Sequence, residues 1–307
     1  MTRQRSRRAF LGAVGGGGLI GLAGCLGGDE TVTVLSAGSL ATAFEDHVGP
    51  AFESETAFSI EGEYYGSNAV MGMVTDGTRN PDVVVSADAT LLRDRLVGDH
   101  TDWDLTFASN KLGLSYEPET VFGEALQAGQ PWYELLADAA ARTVAISDPE
   151  VDPLGYRAWQ AFGLAEREHG LNGFRETVWD RVAREPEEPQ LLAGVESGAR
   201  AGAVVYHNMA VDHDLPFEPF PPAYNFADPD RKDHYASASY TFEDGTTVEG
   251  RPILYNATVL DRADAPAAGR RLVTFLAEHP ELLETAGLAV PESLPRATGT
   301  PPEGIPT

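Results

Sequence analysis

The regular part of the chain begins with an alternating apolar pattern that changes to a helical one. Residues 31–35 alternate β-branched side chains, which predicts a strand. Leu40, Phe44 and Val48 then recur at helical spacing, which predicts a helix that we place at residues 40–52. Small and polar residues lie between the two segments and indicate a turn. The first predicted unit is therefore strand, turn and helix.

The same unit repeats twice. Residues 58–65 predict a strand whose helix opens at 66–68, and residues 81–85 predict a strand whose helix opens at 86–88. Alternating strands and helices indicate an α/β fold with a parallel sheet and helices on both faces. Ligands of such sheets lie beyond the carboxyl ends of the strands, where helix N-termini gather. We therefore expect the first two turns to contribute to a binding site.

A second series of elements follows. We predict strands at 111–116, 143–146, 201–206 and 252–260, helices at 132–140, 158–169, 191–197 and 265–288, and a surface tail from residue 291. A chain of 307 residues, 42% of them apolar, can bury two cores of ordinary size. We assign residues 30–109 plus 261–307 to lobe 1 and residues 110–260 to lobe 2.

The chain is strongly acidic. Its formal net charge is −25, and Lys111 and Lys232 are its only lysines. Such a charge disfavours binding to nucleic acid or to an anionic membrane surface. Carboxylates spread along the chain, with almost no lysine, indicate adaptation to high salt, which screens their repulsion. An acidic surface that only improves solubility is the alternative.

The N-terminus indicates export and lipid attachment. Residues 1–24 combine four arginines with a short apolar, glycine-rich run, which is typical of an export signal. Residues 6–11 resemble a twin-arginine signal, and residues 22–25 resemble a lipobox that ends at Cys25. We expect Cys25 to be lipidated, residues 25–29 to form a tether, and the protein to lie on the extracellular face of the cell membrane. Cys25 as an incidental residue of the signal is the alternative.

Seven short segments in order carry a family resemblance. They are Leu-Ser-Ala-Gly-Ser-Leu at 35–40, Tyr-Gly-Ser-Asn at 65–68, Pro-Asp-Val-Val-Val-Ser-Ala-Asp at 81–88, Ser-Asp-Pro at 147–149, Asp-Pro-Leu-Gly-Tyr-Arg at 152–157, Glu-Ser-Gly at 196–198 and Tyr-His-Asn-Met-Ala at 206–210. In this order the chain resembles archaeal tungstate/molybdate-binding proteins. The resemblance implies a type II periplasmic-binding-protein fold, with a mixed, mainly parallel sheet flanked by helices in each lobe.

The resemblance also implies function and partners. It predicts a monomeric solute-binding lipoprotein without a cofactor, which captures tungstate or molybdate and delivers it to the permease and ATPase of an ABC importer. Ser39 and Ser67 match the serines that hydrogen-bond the oxyanion in this family. Each also stands where a strand turns into a helix, where plain N-capping is the alternative.

Asp152 matches the family's aspartate that bonds the central metal of the oxyanion. W(VI) and Mo(VI) are hard centres that accept a carboxylate oxygen, whereas the sulfur of sulfate does not. A simple capping role before the following helix is the alternative. We expect Gly155 and the backbone N–H groups after it to complete the cradle.

The remaining candidates leave alternatives open. The family's second carboxylate aligns with Gln190, so either Gln190 offers an amide, a neighbouring glutamate such as Glu188 serves, or coordination stays tetrahedral. Tyr206 ends a buried strand and is a candidate donor or a packing residue. Arg157 is a candidate anion clamp or a partner in a structural salt bridge.

Two other functions remain as alternatives. Sulfate or phosphate could be the bound oxyanion, and phosphate could place its proton on an aspartate. An exported hydrolase would need a triad such as Ser39, His213 and Asp152, which nothing in the sequence brings together. No motif of a known hydrolase or zinc enzyme is present, so we expect a binding protein and not an enzyme.

Overall fold

The computed structural model describes residues 30–186 and 188–306. The predicted export signal, the tether and Cys25 lie outside the described residues. Within the described part of the chain, no helix is long and apolar enough to cross a membrane.

Strands and helices alternate along most of the described chain. The strands are β1 (Glu30–Ala37), β2 (Phe58–Tyr65), β3 (Val83–Ser86), β4 (Trp103–Ser109), β5 (Leu112–Tyr116), β6 (Val144–Ser147), β7 (Ala183–Glu185), β8 (Gly202–Tyr206), β9 (Phe217–Pro219), β10 (Ser239–Thr241), β11 (Thr247–Glu249), β12 (Leu254–Val259) and β13 (Arg296–Gly299). The helices are α1 (Gly49–Glu55), α2 (Ser67–Thr75), α3 (Ala89–Leu96), α4 (Val121–Gln127), α5 (Trp132–Asp138), α6 (Pro153–His169), α7 (Phe174–Arg181), α8 (Glu188–Glu196), α9 (His207–Asp212), α10 (Lys232–Tyr235), α11 (Pro266–Glu278) and α12 (Pro280–Thr285). A 3₁₀ turn (Gly38–Leu40) and a π-helical turn (Ala43–Val48) precede α1, and a 3₁₀ turn (Pro229–Arg231) precedes α10.

The first helical region confirms the apolar pattern. Leu40, Phe44, Val48 and Phe52 are all buried, with at most 1% of each residue exposed. They belong to one irregular helical stretch that contains the 3₁₀ turn, the π-helical turn and α1. Helical spacing in the sequence therefore located the buried face, but it did not predict that the stretch changes from a 3₁₀ turn to a π-helical turn and then to an α-helix.

The strands form two main sheets and one hairpin. The six-stranded sheet has the order β13-β4-β12-β3-β1-β2, and the five-stranded sheet has the order β7-β6-β8-β5-β9. The antiparallel pair β10 and β11 forms the separate hairpin. Helices flank both sheets, as predicted for the two-lobed α/β fold.

Three strands of each sheet are mutually parallel. In the first sheet β1 pairs in parallel with β2 and with β3, and in the second β6 pairs in parallel with β7 and β8. The other strand pairs are antiparallel. Both sheets are mixed, as expected. In the first sheet β4 runs in the same direction as β1, β2 and β3, and β12 and β13 run in the opposite direction. β12 opposes β4 because β4 leads out towards the second lobe and β12 returns from it.

The lobe boundary near residue 260 was wrong, because β12 lies in the first sheet. Its residues pair with β3 and β4, for example Thr258 with Val84 and Ala257 with Leu105. The strand is almost wholly buried, so its apolar pattern fits either sheet and does not reveal its partners. The tail after residue 291 also differs from the prediction, since β13 pairs with β4 at the edge of this sheet.

Several helix boundaries differ from the sequence pattern. α6 begins at Pro153, five residues before the predicted start, because Asp152 caps it and proline fits the first helical turn. α8 begins at Glu188 and not at residue 191. The predicted helix over 265–288 is divided into α11 and α12, with Pro280 at the start of α12.

Asp82 ties three elements of the first lobe together. Its Oδ2 accepts hydrogen bonds from the backbone N–H and the hydroxyl of Thr33 at 2.8 and 2.7 Å. Its Oδ1 accepts a hydrogen bond from the N–H of Ala265, which directly precedes α11, at 2.7 Å. Only 2% of Asp82 is exposed. This carboxylate therefore fixes β1, the start of β3 and the start of α11 relative to one another.

Asp82→Ala should lower the free energy of unfolding by about 3 kcal/mol, because three donors lose a charged acceptor in a buried place. Urea unfolding followed by circular dichroism measures the change. Asp76→Ala, at the exposed C-terminal end of α2, is the control and should change stability by less than about 0.5 kcal/mol. Equal stability of the two variants would contradict the role assigned to Asp82.

Candidate binding cleft

A cleft with a volume of about 620 Å³ lies between the two lobes. All six mutually parallel strands end at it. From the first lobe, the turns after β1, β2 and β3 line the cleft with Ser39, Ser67 and Asp88. From the second lobe, the segments after β6 and β7 contribute Asp152 and Glu188, and β8 contributes its last residue, Tyr206. The cleft therefore lies where α/β sheets bind ligands, as the sequence predicted.

Neither predicted serine is a helix cap. The N-cap of α2 is Gly66 and the residue before the 3₁₀ turn is Ala37, and neither makes a side-chain capping bond. Ser67 is the first residue of α2, and its hydroxyl oxygen accepts a hydrogen bond from the N–H of Ala87 at 3.3 Å. Since its oxygen is already an acceptor there, the Ser67 hydroxyl proton is available to a ligand in the cleft.

Asp152 both caps α6 and lines the cleft. Its Oδ1 accepts a hydrogen bond from the N–H of Leu154 at 2.9 Å, and 9% of the residue is exposed. Asp152 therefore does cap a helix, as the alternative interpretation held, and it lines the cleft as well. The helix cap holds the carboxylate at the carboxyl end of the second sheet, because the cap bond fixes the side chain relative to α6.

Gly155 does not line the cleft, so the structure gives no support to its predicted part in the cradle. Its N–H donates to the backbone oxygen of Asp152 at 3.1 Å. A Cβ at this position would lie 2.4 Å from the backbone oxygen of Ser147 and 2.6 Å from the nitrogen of Pro149. Glycine is needed here because α6 packs directly on the backbone that leads to Asp152.

The structure brings Glu188 but not Gln190 into the cleft. Both residues belong to the first turn of α8, where Glu188 lines the cleft and Gln190 is exposed to solvent outside it. Burial, and then the nearby charge of Asp152, raise the pKa of Glu188 to about 7, while the charge of Arg157 opposes the shift. Near neutral pH, Glu188 therefore takes up or releases a proton readily.

Arg157 and Tyr206 form a buried pair at the same place. Nη1 of Arg157 donates to the hydroxyl oxygen of Tyr206 at 2.5 Å, and 8% and 7% of the two residues are exposed. Burial raises the pKa of Tyr206 well above its ordinary value, and Arg157 opposes this only in part. The phenol thus stays protonated and has a proton to donate, while Arg157 supplies positive charge to the cleft.

An ion pair lies at the rim of the cleft. Arg251, which precedes β12, contacts Oδ2 of Asp88 at 2.6 Å. Oδ1 of Asp88 accepts from the N–H groups of Thr90 and Leu91 and so caps α3. This carboxylate is therefore neutralised by a cation and a helix N-terminus, which reduces its repulsion of an anion in the cleft.

The arrangement suits a small anion. Hydroxyl groups, the N-termini of helices and one buried guanidinium converge on a cleft in a chain of large negative charge. Asp152 and Glu188 add two carboxyl groups close enough for the charge of one to shift the pKa of the other. Such a pair suits a bound species with a metal centre and oxygen atoms.

His213 lies outside the cleft lining. Its Nδ1 is 2.7 Å from Oε1 of Glu196, and both side chains are largely exposed. The catalytic triad that a hydrolase would need, Ser39, His213 and Asp152, is therefore not assembled in the described structure.

Sequence reasoning missed Tyr255, which lies in β12 and lines the cleft with 2% of the residue exposed. It also missed Asp88 as a lining residue. The predicted helix opening at 86–88 was a usable signal for Asp88, because the turn after β3 follows the same rule as the turns after β1 and β2. No local pattern marks Tyr255, since its place depends on which sheet β12 joins.

Two α/β lobes joined by crossing strands, with a polar cleft at the carboxyl ends of their parallel strands, define the class of two-lobed solute-binding proteins. The chain belongs to the bacterial extracellular solute-binding protein family, whose family model matches residues 32–288.

Three related proteins match this chain over 79% or more of its length. The chain is 53% identical over 306 residues to an uncharacterized solute-binding protein of Halobacterium salinarum, covering 99% of this chain and 98% of the relative. It is 40% identical to a putative ABC transporter molybdenum-binding protein of Haloferax volcanii, covering 97% and 96%. It is 30% identical to a molybdate/tungstate-binding protein of Pyrococcus abyssi, covering 79% and 80%. The predicted resemblance is thus confirmed.

Solved structures agree in fold. The periplasmic molybdate-binding protein of Azotobacter vinelandii superposes with a TM-score of 0.56 at 20% identity, covering 85% of this chain and 100% of that structure. The substrate-binding domain of a putative molybdenum ABC transporter from Clostridium difficile gives a TM-score of 0.61 at 17% identity, covering 86% and 100%. At these identities the likeness establishes the periplasmic-binding-protein fold alone.

Glu188→Gln should stabilise the protein above neutral pH. The pKa of Glu188 is raised from 4.5 to about 7 by folding, so the folded state favours the protonated carboxyl. The contribution of protonated Glu188 to the free energy of unfolding is complete below pH 4.5 and is lost as the pH rises through about 7. We therefore compare the free energy of unfolding of Glu188→Gln with that of the wild type at pH 4.5 and at pH 8.5. The difference, variant minus wild type, should be larger at pH 8.5 by up to about 3 kcal/mol.

Urea unfolding at these two pH values measures the difference. Glu61→Gln, an exposed residue of β2, is the matched control and should follow the wild type. A glutamine variant that also follows the wild type at both pH values would show that burial of Glu188 does not favour its protonated form.

Proposed function

We propose that the chain binds molybdate or tungstate in this cleft and delivers the ion to the permease and ATPase of an ABC importer. The proposal depends on one observation: hydroxyl groups of the first lobe and two carboxyl groups of the second lobe line the same cleft. Ser39 and Ser67 come from the first lobe, and Asp152 and Glu188 come from the second. The hydroxyl groups suit the oxygen atoms of the ion, and the carboxyl groups suit its metal centre.

The relatives support this choice of ion. Haloferax volcanii and Pyrococcus abyssi relatives carry names that state molybdenum or molybdate/tungstate binding. A carboxylate beside a dianion is repulsive unless it is protonated or bonds to the metal. Asp152 in the cleft therefore favours an oxometalate over sulfate, whose sulfur does not accept a carboxylate ligand.

Glu188 fits the place of the second carboxylate better than Gln190, which is exposed outside the cleft. With Asp152 it would complete a set of two carboxylate ligands and expand the coordination of the metal beyond its four oxygen atoms. Ser39, Ser67 and the hydroxyl of Tyr206 would donate to those oxygen atoms, and Arg157 would balance the charge.

Binding should close the lobes. A cleft of about 620 Å³ has the size that usually holds a drug-sized ligand, and a single tetrahedral oxyanion is far smaller. Contact of one ion with groups from both lobes therefore requires the lobes to approach each other. The two connections through Asn110 and residues 250–253 are the natural hinges, since they join the sheets.

The proposal extends to the location of the protein. Residues 1–24 would direct export, Cys25 would carry lipid, and the monomeric binding protein would stay on the extracellular face of the membrane. The extracellular solute-binding family of the chain supports this location.

Calorimetric titration in concentrated KCl tests the ligand. Molybdate and tungstate should bind tightly, while sulfate and phosphate should bind at least about 100-fold more weakly, because only the oxometalates can bond to Asp152. Heat from sulfate or phosphate alone would replace the proposed ion by another oxyanion. If none of the four ions produced binding heat, the proposal of an oxyanion ligand would be wrong, and the chain would remain a two-lobed solute-binding protein with another ligand.

Asp152→Asn tests the metal ligand without loss of the helix cap, because asparagine caps as well as aspartate. We expect molybdate affinity to fall by roughly 10- to 100-fold, the range of a lost bond to a charged group, with an unchanged melting temperature. Asp228→Asn is the matched control, since Asp228 also caps a turn that starts with proline but lies outside this cleft. Equal affinities in the two variants would argue against Asp152 as a ligand.

A further inference from the structure

The turn that carries Asp152 joins β6 to α6 over residues 148–152 and is partly exposed. Inside it, the backbone oxygen of Asp148 accepts hydrogen bonds from the N–H groups of Val151 and Asp152 at 3.2 and 2.9 Å. The side chain of Val151 is 70% exposed. Because this side chain contributes little packing, polar contacts decide how firmly the turn is held.

Glu150, within this turn, is held by a hairpin that is distant in sequence. Oε1 of Glu150 accepts a hydrogen bond from the hydroxyl of Tyr240 in β10 at 2.6 Å. Its Oε2 accepts from the backbone N–H of Glu243, between β10 and β11, at 3.1 Å. The hairpin thus binds both oxygen atoms of one carboxylate. Hydrogen bonds to an ionised acceptor are stronger than those between neutral groups, so this contact is a firm one.

The hairpin is fixed to α6 by contacts that do not involve Glu150. The ring of Tyr240 packs edge-on against Trp159, with 6.2 Å between the ring centroids. Nε2 of Gln160 donates to the backbone oxygen of Val248 in β11 at 3.0 Å. Both Trp159 and Gln160 belong to α6. The turn, α6 and the hairpin therefore form a closed ring of contacts, which Glu150 completes.

Glu150 does not itself line the cleft, whereas the next two residues, Val151 and Asp152, do. Its carboxylate is bound to the hairpin. An effect of Glu150 on a bound ion must therefore pass through the backbone of the turn to Asp152. Ligand groups must be held within about 0.5 Å of their productive positions to bind well. A small movement of the turn is thus enough to change affinity.

We propose that Glu150 and Tyr240 are positioning residues, which hold the turn so that the Asp152 carboxylate lies at bonding distance from the metal of a bound oxyanion. This inference rests on the proposed function and deepens it, because it identifies what prepares Asp152 as a ligand. The helix cap fixes the carboxylate relative to α6, and the hairpin fixes the turn that precedes α6. Asp152 is thus restrained from both sides along the chain.

Double-mutant cycles with molybdate titration test the link to Asp152. Tyr240→Phe keeps the ring and removes only the hydroxyl, and it should weaken molybdate binding by roughly fivefold. In the Asp152→Asn background the same change should cost less than about twofold, because the ligand that it positions is already lost. In the Ser67→Ala background the roughly fivefold effect should persist. Equal losses in all three backgrounds would overturn the inference, as would an unchanged affinity of the single variant.

Two variants of Glu150 test the same contact by rescue. Glu150→Ala removes both acceptors and should weaken molybdate binding by roughly tenfold. Glu150→Gln can keep both contacts, because its amide oxygen accepts from the N–H of Glu243 and its NH₂ group donates to the oxygen of Tyr240. The glutamine variant should therefore lose less than about threefold. Equal losses in the two variants would contradict the inference.

Hydrogen exchange of the ligand-free protein tests the positioning without any ion. The amides of Val151 and Asp152 exchange when their bonds to Asp148 open. Tyr240→Phe should speed their exchange by roughly tenfold, because the turn loses a bond to a charged group. The amide of Ala87 in the first lobe should exchange as in the wild type. Unchanged exchange at Val151 and Asp152 would show that the turn holds its place without the hairpin, which overturns the inference.

Tyr235→Phe is the matched control. Tyr235 also belongs to the second lobe, but its hydroxyl donates to the backbone oxygen of Pro222 at 2.7 Å and it does not line the cleft. Its molybdate affinity and the exchange of the turn should equal those of the wild type. If Tyr240→Phe does not fold, the comparison of Glu150→Ala with Glu150→Gln still decides, because Glu150 is only half-buried.

The outcomes separate the two levels. Wild-type protein that binds neither molybdate nor tungstate overturns the proposed function, and the inference with it. Wild-type binding with equal losses for Tyr240→Phe in the three backgrounds overturns the inference and leaves the proposed function intact.

Discussion

Parallel pairing of three strands in each sheet determines where the polar groups of the site lie. Because β1, β2 and β3 run in the same direction, their carboxyl ends meet at one edge, and the same holds for β6, β7 and β8. The two edges face the same cleft, which six polar or charged residues from these strand ends line. Every proposed contact with the ligand depends on this pairing, since none of these residues is adjacent in sequence to its partner across the cleft.

The electrostatics of the cleft follow from the acidic character of the chain. A chain with a net charge of −25 repels anions at long range, and salt screens this repulsion over about 3 Å at 1 M. Attraction must therefore come from short-range groups. Neutral hydroxyls, helix N-termini and the buried guanidinium of Arg157 meet this requirement, while Asp88 is neutralised by Arg251. The carboxyl groups of Asp152 and Glu188 remain as the chemically distinctive part of the site.

The site also shows why one residue can combine a structural and a functional role. Asp152 caps α6 and lines the cleft, and Gly155 packs against the segment that leads to Asp152. Ser39 contributes its backbone oxygen to Asn208 and its side chain to the cleft. Since capping and packing fix side chains at little entropic cost to binding, the fold prepares these groups before a ligand arrives.

The sequence by itself determined the alternation of strands and helices, the turns that carry Ser39 and Ser67, and the motif that carries Asp152. These features are local: periodicity, turn residues and caps act over a few positions. The tertiary structure alone decided that β12 joins the first sheet, that Glu188 and not Gln190 enters the cleft, and that Gly155 serves packing. It also decided that Asn110, Asn208 and Tyr255 meet behind Ser39. The contacts of Asn110 with Asn208 and Tyr255 join residues 98 and 145 positions apart, and no short pattern in a single chain specifies which distant strands and helices will meet.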